Sequence, residues 1–554
     1  MLVAMISLFV ANPLPQKNDL FTKSASPINV DKLEEWLVDY PAKQDAKVLL
    51  DGFCFGFRIP YTGSRNGRIS KNHKSVDQNP ELVNEKLYEE ISLGRVAGPF
   101  LDLPIQNLIV SPIGLVPKSC PGDFRLIFDL SYPKGQSVNS GISHEDASVS
   151  YTKFDEITRL VCEEGPGSYL IKIDIKSAFR LLPINPEDFC LLGMKFKDQF
   201  FVDKCLPFGL SISCALFEKF STFLEWCLKQ ATGSNQIIHY LDDFSACDGR
   251  LQGAQKIMDK SLAMFSELGV PVAEKKIEGP STCIKFLGLE VDTVSMMVKL
   301  PEEKLKDLRL TIEKMIHRQG KKISLRDLQS LIGKLNFACR AIVPGRAFCR
   351  RLIDATCGVK EPHHRIRVSK SMVADLLVWQ FFLEKFNGAN MMIDVWNDSH
   401  IDLYTDAAGS IGFGAYLEGH WVAGSWPSSL QSSAPDITFK ELFPIILALH
   451  IWGHLLCNRR ILFHCDNQAV VCIINKQSTR SKPSMGLTRM LVSICLFQNI
   501  VFKAVHIPGL ENEIADSLSR FQLDKFRQLA PQADLEPTPI PHPLLEQLLE
   551  KSKD

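Results

Sequence analysis

Two adjacent aspartates, Asp242 and Asp243, lie in the run His239–Tyr240–Leu241–Asp242–Asp243–Phe244, between apolar Ile237–Ile238 and Phe244–Ser245–Ala246. Alternation on both sides of the pair predicts a β-hairpin with the acids at its tip. Two carboxylates held side by side repel each other, and a divalent cation relieves that repulsion. Mg²⁺ prefers oxygen ligands and commonly keeps substrate phosphates among them. An isolated Asp pair is as often a solvated turn. A third acid changes that reading: Tyr169–Leu170–Ile171–Lys172–Ile173–Asp174 alternates as a strand and ends in a carboxylate. Three acids at strand ends suit two-metal phosphoryl transfer, with ions ~3.5–4 Å apart.

Other residue types point the same way. Ser111–Lys118 and Phe124–Asp129 flank a Pro121–Gly122–Asp123 turn and predict a second hairpin. Its Lys118 and Arg125 would make a triphosphate clamp, the lysine as a point charge and the arginine as a fork. Lys275 and Lys276 are both candidates for the general acid that meets a leaving pyrophosphate. Leu206–Pro207–Phe208–Gly209–Leu210 predicts a turn into a helix over Ala215 to Leu228.

A separate set of acids follows. Asp406 ends the strand Leu403–Asp406, Glu441 sits in the first turn of a helix over Thr438 to Leu456, and Asp466 ends the strand Ile461–Asp466. Asp516 lies on a helix after the strand Val501–His506 and the turn Pro508–Gly509. Four separated acids in this pattern predict a second two-metal site, one that hydrolyses a phosphodiester.

The elements that must carry these residues are legible in outline. Val30–Tyr40 predicts a short amphipathic helix, Phe53–Arg68 a strand then a loop, and Pro80–Gly94 a helix ended by glycine. Leu325–Phe337 has helical periodicity, with Gln329, Gly333 and Phe337 on one face. Gly333 in mid-helix suggests close approach to its backbone, by a ligand or by another helix. Between Arg340 and Lys370, Arg340, Arg346, Arg350, Arg351, Lys360, Arg365, Arg367 and Lys370 outnumber Asp354 and Glu361, which suggests a phosphate track. The tail from Ala530 predicts a partly disordered linker and a short helix over Leu544–Leu548.

At 554 residues, 45% hydrophobic and 23% charged, the chain has the composition of several globular domains. Its 63 basic residues balance 63 acidic ones, so nucleic-acid binding must come from local patches. The 16 cysteines form no C-x-x-C pair and predict reduced thiols in an intracellular protein. No apolar run looks long enough to span a bilayer, so no membrane partner is expected. Met1–Ala11 is apolar but lacks a basic leader, and an arbitrary or truncated start is expected rather than secretion.

Asp174, the LPFGL turn and Tyr240–Asp243, in that order, resemble the palm of a reverse transcriptase. Lys118, Arg125 and Asp129 match its fingers hairpin, Phe286–Val291 its primer grip, and Gln329, Gly333 and Phe337 the thumb helix that tracks the primer minor groove. The Thr405–Ala408, Lys440–Leu442, Cys465–Gln468 and H-x-P-G-x-x-N-x-x-A-D stretches resemble ribonuclease H, with His506 at the loop position associated with product release. From about residue 95 to 522 the chain is similar to the joined reverse transcriptase–ribonuclease H of retroelements. Gly56–Phe57–Arg58–Ile59–Pro60 and the ribonuclease H stretch resemble DIRS-type elements, which integrate with a tyrosine recombinase.

The resemblance implies an α+β right-hand polymerase of fingers, palm and thumb, then an α/β ribonuclease H-like domain with a mixed five-stranded sheet. The expected division is an N-terminal extension (1–94), fingers and palm (95–298), thumb (299–345), basic connection (346–400), ribonuclease H (401–525) and tail (526–554). The implied catalytic acids and metal ligands are Asp174, Asp242 and Asp243 at one site, and Asp406, Glu441, Asp466 and Asp516 at the other. Two Mg²⁺ are implied per site, with Mn²⁺ as an alternative. Implied partners are an RNA template, a DNA primer, an RNA–DNA hybrid, deoxynucleoside triphosphates and a recombinase of the same element. Phe179 matches the aromatic that excludes a ribose 2′-OH. Phe208 stands where retroviruses carry Gln, so the polar contact that Gln would make beside the nucleotide is absent. A catalytically silent, host-captured chain that only binds nucleic acid is the competing expectation. Template, primer and oligomeric state stay open.

Overall fold

The computed structural model describes residues 20–117, 124–390, 400–427, 436–541 and 543–551, so Lys118 and the Pro121–Asp123 turn lie outside the described residues. The chain forms two compact units: Met1–Ile284 with Thr293–Ser295, and Lys285–Asp292 with Met296–Asp554.

The first unit opens with two helices, α1 (Val30–Asp39) and α2 (Lys43–Phe55), followed later by α3 (Pro80–Ser92). Asn29 caps α1 by accepting from the Lys32 amide, which fixes its start. Phe53 therefore ends a helix and does not begin a strand as expected; after it only single bridges form, at Phe57 and Tyr61, and Arg68–Ile69 is the short strand. The helical spacing of Leu49, Gly52 and Phe53 overrode the aromatic content of the segment. Residues 20–94 are no loose extension. Leu33, Leu49, Phe53, Phe57 and Val83 belong to the same buried core as Ile171, Ile173 and Phe244.

A two-stranded ribbon follows, β1 (Ile113–Pro117) and β2 (Phe124–Phe128), paired antiparallel with Val116 opposite Arg125. The central sheet is built from β3 (Tyr169–Asp174), β4 (Ile237–Tyr240), β5 (Asp243–Asp248) and β6 (Glu278–Ser281), in the order β6-β3-β5-β4. Between β3 and β4 runs α4 (Ser213–Thr232), longer at both ends than the expected Ala215–Leu228, and between β5 and β6 runs α5 (Leu251–Glu267). Helix α4 buries Phe217, Phe220, Phe223 and Leu224, and ends at Gly233, whose φ of 75° is the usual left-handed stop.

The second unit carries α6 (Glu302–Ile316), α7 (Leu325–Ala338) and α8 (Lys370–Lys385). Ser324 caps α7 through the Asp327 amide, and its Leu325, Leu328, Leu331 and Leu335 stripe is buried. A mixed five-stranded sheet comes next: β7 (Ile401–Ala408), β8 (Gly412–Leu417), β9 (His420–Ser425), β10 (Arg460–Cys465) and β11 (Val501–His506). Its order is β9-β8-β7-β10-β11, antiparallel on the β8 and β9 side and parallel from β7 to β11. Around it lie α9 (Ile437–Leu456), α10 (Lys482–Phe497) and α11 (Glu513–Ser519).

Two expectations fail here. Helix α9 is long and apolar enough to cross a membrane by length and composition, where the sequence had suggested no such run; 78% of its most apolar window is buried within the structure. The tail from Ala530 is also not a loose linker. The Trp421 indole donates to the Asp534 carbonyl at 2.7 Å, the Thr538 amide donates to the Trp421 carbonyl at 2.8 Å, and the Trp452 indole reaches the Thr538 hydroxyl at 3.2 Å. Anchored indoles outweigh the proline content. The last helix runs Leu544–Lys551, past the expected Leu548.

Candidate active sites

The first site is fixed by strand register. β5 pairs with β3 so that Asp243 lies opposite Asp174, and with β4 so that Asp243 lies opposite Tyr240. Only Leu241 and Asp242 remain for the turn, and Leu241 takes a left-handed φ of 52° to close it. The Ile175 amide donates to the Asp242 carbonyl at 2.9 Å, tying the tip to the end of β3. The three carboxylates thus converge on one edge of the sheet.

Their environment resists three negative charges. Asp174 is 6% exposed. Burial pushes Asp243 up to about 6, with Asp174 and Asp242 adding to the shift against the pull of Lys172. Burial likewise raises Asp242, helped by Asp174. Lys172 Nζ stands 3.4 Å from Asp243 Oδ1, yet that oxygen is buried without a hydrogen bond. Lys276 Nζ donates to both oxygens of Asp174, at 2.9 and 2.8 Å. Of the two candidate lysines, the structure brings Lys276 to the site.

A cavity of about 510 Å³ opens in front of these acids. Asp174, Asp242 and Lys276 line one side, and Arg125 and Phe208 line another. Arg125 lies over the Phe208 ring at 5.6 Å, a cation–π contact that supports the guanidinium. Phe208 is placed by Gly209, whose φ is 108° and where a Cβ would meet the Phe128 carbonyl oxygen at 2.3 Å, so only glycine fits. Asn139 holds that turn from both sides, donating to the Gly209 carbonyl and accepting from the Ser211 amide, each at 2.8 Å. Arg180 also lines the cavity, but Glu90 and Asp203 bind its guanidinium at 2.8 and 2.9 Å. Its charge is spent within the fold.

Phe179 does not line this cavity, although its neighbours Ala178 and Arg180 do. Its ring packs against Phe208 at 5.1 Å and Phe217 at 5.3 Å, and it is half-buried. It therefore backs Phe208 and faces the helix α4 core at the same time. Asp129, which follows β2, accepts a hydrogen bond from His73 Nε2 at 3.0 Å and does not line the cavity.

The second site lies on the five-stranded sheet. β7 presents Asp406 and β10 runs into Asp466, with α9 supplying Glu441 and α11 supplying Asp516. Burial pushes Glu441 up to about 9, with Asp406, Asp466 and Asp516 contributing in that order. Burial pushes Asp406 up to about 6, again with Asp466 and Asp516 adding. The four acids therefore feel one another as a single cluster. Glu441 Oε2 is buried without a hydrogen bond. Ser519 donates to Asp406, and Arg520 binds Asp516 at 2.6 Å. His506 Nε2 lies 3.1 Å from the Asp466 carbonyl, at the rim of the cluster. Helix α11 reaches the sheet because Gly414 leaves room: a Cβ there would meet Leu518 Cβ at 2.5 Å.

The structure does bring Gln329, Gly333 and Phe337 to one side of α7. Gln329 and Gly333 are exposed and Phe337 is half-buried on one side of α7. Nothing lies within 4 Å of where a Gly333 Cβ would sit, so the helix-packing explanation for this glycine fails. Gly333, Phe337, Lys304 and Lys334 line a groove of about 320 Å³, with Lys304 Nζ 4.0 Å over the Phe337 ring. The expected phosphate track is broken, however. Arg350 is paired with Asp354 and Arg351 with Asp375, while Arg340, Arg346, Arg365 and Arg367 stay exposed.

Sequence reasoning missed several members of these sites. Lys172 was findable, since it shares a strand face with Asp174 two residues on. Ser519 and Arg520, three and four residues after Asp516, were findable from helical spacing. Cys465 was not. Its thiol lies within 4.8 Å of ligand atoms of Glu441 and Asp466, which only the fold reveals.

Residues 116–291 match the family described as reverse transcriptase (RNA-dependent DNA polymerase), and this stretch is a reverse transcriptase domain of the retroelement and viral polymerase type. It contains Asp174, Asp242, Asp243, Arg125, Phe179 and Phe208. Protein P of duck hepatitis B virus (strain China) is 28% identical over 168 residues, 30% of this chain and 21% of that protein. The Gag-Pro-Pol polyprotein of Mason-Pfizer monkey virus is 27% identical over 221 residues, 38% of this chain and 12% of that protein. The chain thus spans only a minor part of these relatives. Among solved structures, the foamy viral protease-reverse transcriptase with RNA/DNA hybrid superposes with a TM-score of 0.49 at 17% identity, over 92% of this chain and 66% of that one.

Proposed function

We propose that this chain is an RNA-directed and DNA-directed DNA polymerase with ribonuclease H activity, which copies retroelement RNA and removes the RNA of the hybrid. The observation that carries the polymerase half is the register that sets Asp243 opposite Asp174 at the mouth of a cavity shared with Arg125, Phe208 and Lys276. The ribonuclease H half rests on the clustering of buried Asp406 and Glu441 with half-buried Asp466 and Asp516.

Both clusters fit divalent metal. Each holds a buried carboxylate oxygen with no hydrogen bond, on Asp243 and on Glu441, and burial raises the proton affinity of both these groups. Asp174, Asp242 and Asp243 would hold two Mg²⁺ or Mn²⁺ in the first site, and the other four acids would hold two in the second. Bound there, such ions activate the attacking oxygen and neutralise the leaving one. The chain's own groups do the rest. Arg125 and Lys118 bind the triphosphate, Lys276 faces the leaving pyrophosphate, and Phe179 with Phe208 walls the sugar. His506, at the rim beside Asp466, assists release of the cleaved strand.

Duplex is held by the Gln329, Gly333 and Phe337 face. Substrates are an RNA template, a DNA primer, deoxynucleoside triphosphates and the resulting hybrid. The finer placing, a DIRS-type element acting with a tyrosine recombinase inside the cell, in cytoplasm or nucleus, is supported by the Gly56–Pro60 motif and by the free thiols of the described cysteines. Primer extension on a homopolymer RNA template tests the reading directly. DNA product that is lost in Asp242→Asn supports it; no product from folded wild-type chain rejects it in favour of a silent nucleic-acid binder.

A further inference from the structure

A cavity of about 330 Å³ in the second unit lies apart from both acid clusters and is walled by Arg350, Arg351, Arg367, Arg480, Lys482 and Arg489. The two stretches that supply these side chains are over a hundred residues apart in sequence. Two carboxylates compensate them. Asp354 lines the cavity and pairs with Arg350. Asp375, 1% exposed, is shared between Arg351 at 2.9 Å and Arg489 at 3.7 Å. Among the described residues, Arg367, Arg480 and Lys482 have no acidic partner. Six cations against two carboxylates leave a local excess of four positive charges in a chain whose formal charge is zero.

The compensation is incomplete at the atomic level too. The Nε atoms of Arg489 and Arg350 are buried without hydrogen bonds. Burial lowers the proton affinity of Arg489 more than Asp375 restores it. Two helix starts face the same space: Ser369, Ser371 and Met372 at the beginning of α8, and Lys482 with Met485 at the beginning of α10. Helix N-termini carry partial positive charge, which adds to the same field. Ser369, Ser371 and Thr479 offer hydroxyls at the wall. Unpaired guanidinium donors, helix starts and hydroxyls around one cavity are the chemistry of phosphate recognition.

We propose that this cavity, formed where the start of α8 meets the start of α10, is a phosphate-binding site. Its ligand is a phosphate group, either of a nucleic-acid backbone or of a free polyphosphate. The inference stands independently of either catalytic activity.

The test uses the full chain in metal-free buffer at constant ionic strength, with sodium tripolyphosphate as probe. The variant is Arg480→Glu with Lys482→Glu, at exposed side chains that hold no partner, so folding is not at stake. Tripolyphosphate should raise the Tm of the wild-type chain by about 3 °C and leave the variant's Tm unmoved. The same shift in both proteins, or none in either, overturns the site. The source is then read from the salt dependence of RNA–DNA hybrid binding. A log–log slope shallower by about 2 in the variant assigns the phosphate to the duplex backbone. An unchanged slope, with the Tm shift lost, assigns it to a free polyphosphate. A changed slope with the Tm shift retained means a diffuse basic surface and rejects the cavity.

Discussion

Lys276 holds both carboxylate oxygens of Asp174, and its neighbour Lys275 makes no such pair among the described residues. The hydrogen bond to Asp174 raises the proton affinity of the Lys276 ammonium, so it stays charged at the site. This separates two residues that the sequence left equivalent. Lys276→Gln should slow single-nucleotide incorporation by on the order of 10²-fold, the usual worth of a placed acid. Lys275→Gln should stay within about twofold of wild type. Equal effects from the two would remove Lys276 from the reaction.

Asp242→Asn and Glu441→Gln should dissociate the two activities. The first should abolish DNA synthesis and leave cleavage of RNA in a hybrid. The second should stop that cleavage and leave primer extension nearly intact. Hybrid binding should survive both, because it rests on basic and α7 contacts. Joint loss of both activities in well-folded protein would contradict two independent sites.

Phe179→Val tests the sugar wall. A ring that fills the space beneath the deoxyribose leaves no room for a 2′-OH, and overpacking of that kind costs ~1–3 kcal/mol. The variant should gain roughly tenfold to a hundredfold in ribonucleotide use relative to deoxynucleotide. Because Phe179 also touches Phe217 of the α4 core, some loss of stability is expected as well. Side-by-side incorporation efficiencies decide it: lower stability with an unchanged ratio would make Phe179 a packing residue only.

On α7, two substitutions should move in opposite directions. Phe337→Ala removes the ring under Lys304 and should lower processivity more than single-nucleotide incorporation. Gly333→Ala meets open space, so it should stabilise the helix by ~0.5–1 kcal/mol while impairing duplex tracking. A stabilised Gly333→Ala protein with unimpaired processivity would show that no duplex lies against this face.

His239, 4% exposed on β4 of the Asp242–Asp243 hairpin, sets a pH dependence. Burial alone would push its imidazole down. Glu218 and Glu225, facing its two ring nitrogens, override that and hold it at about 9 against an ordinary 6.5. Below pH 6.5 folded and unfolded chains both carry the proton, and the stabilisation is complete. Between about 6.5 and 9 only the folded chain keeps it, so stability falls as pH rises, by on the order of 3 kcal/mol in all. Thermal melts across that range should show the decline in wild type and a flatter profile in His239→Gln. Parallel profiles would place the dependence elsewhere.

Much of this was legible because the candidate acids of the first site sit at strand ends, where alternation announces the element and the acid announces its tip. Asp174, Asp242 and Asp243 needed nothing more. Lys276 could not be told from Lys275, since one residue of rotation on a short turn decides which ammonium reaches Asp174. The start of the chain misled for a physical reason: Phe53 is aromatic and strand-prone, but helix spacing and burial against Phe220, 5.0 Å away, decided its state. The cluster at Arg480 and Arg489 was invisible, because its other half comes from the α8 region and only tertiary packing joins them.

The two-residue turn at Leu241–Asp242 leaves the hairpin no slack. Asp243 faces Asp174 only when β4, β5 and β3 hold one register, and a slip by a single residue would turn every side chain of β5 to the opposite face. Partly misfolded chains therefore cannot be partly active at this site. Specific activity then counts molecules in correct register, so polymerase turnover per mole of chain measures the yield of refolding without a spectroscopic probe.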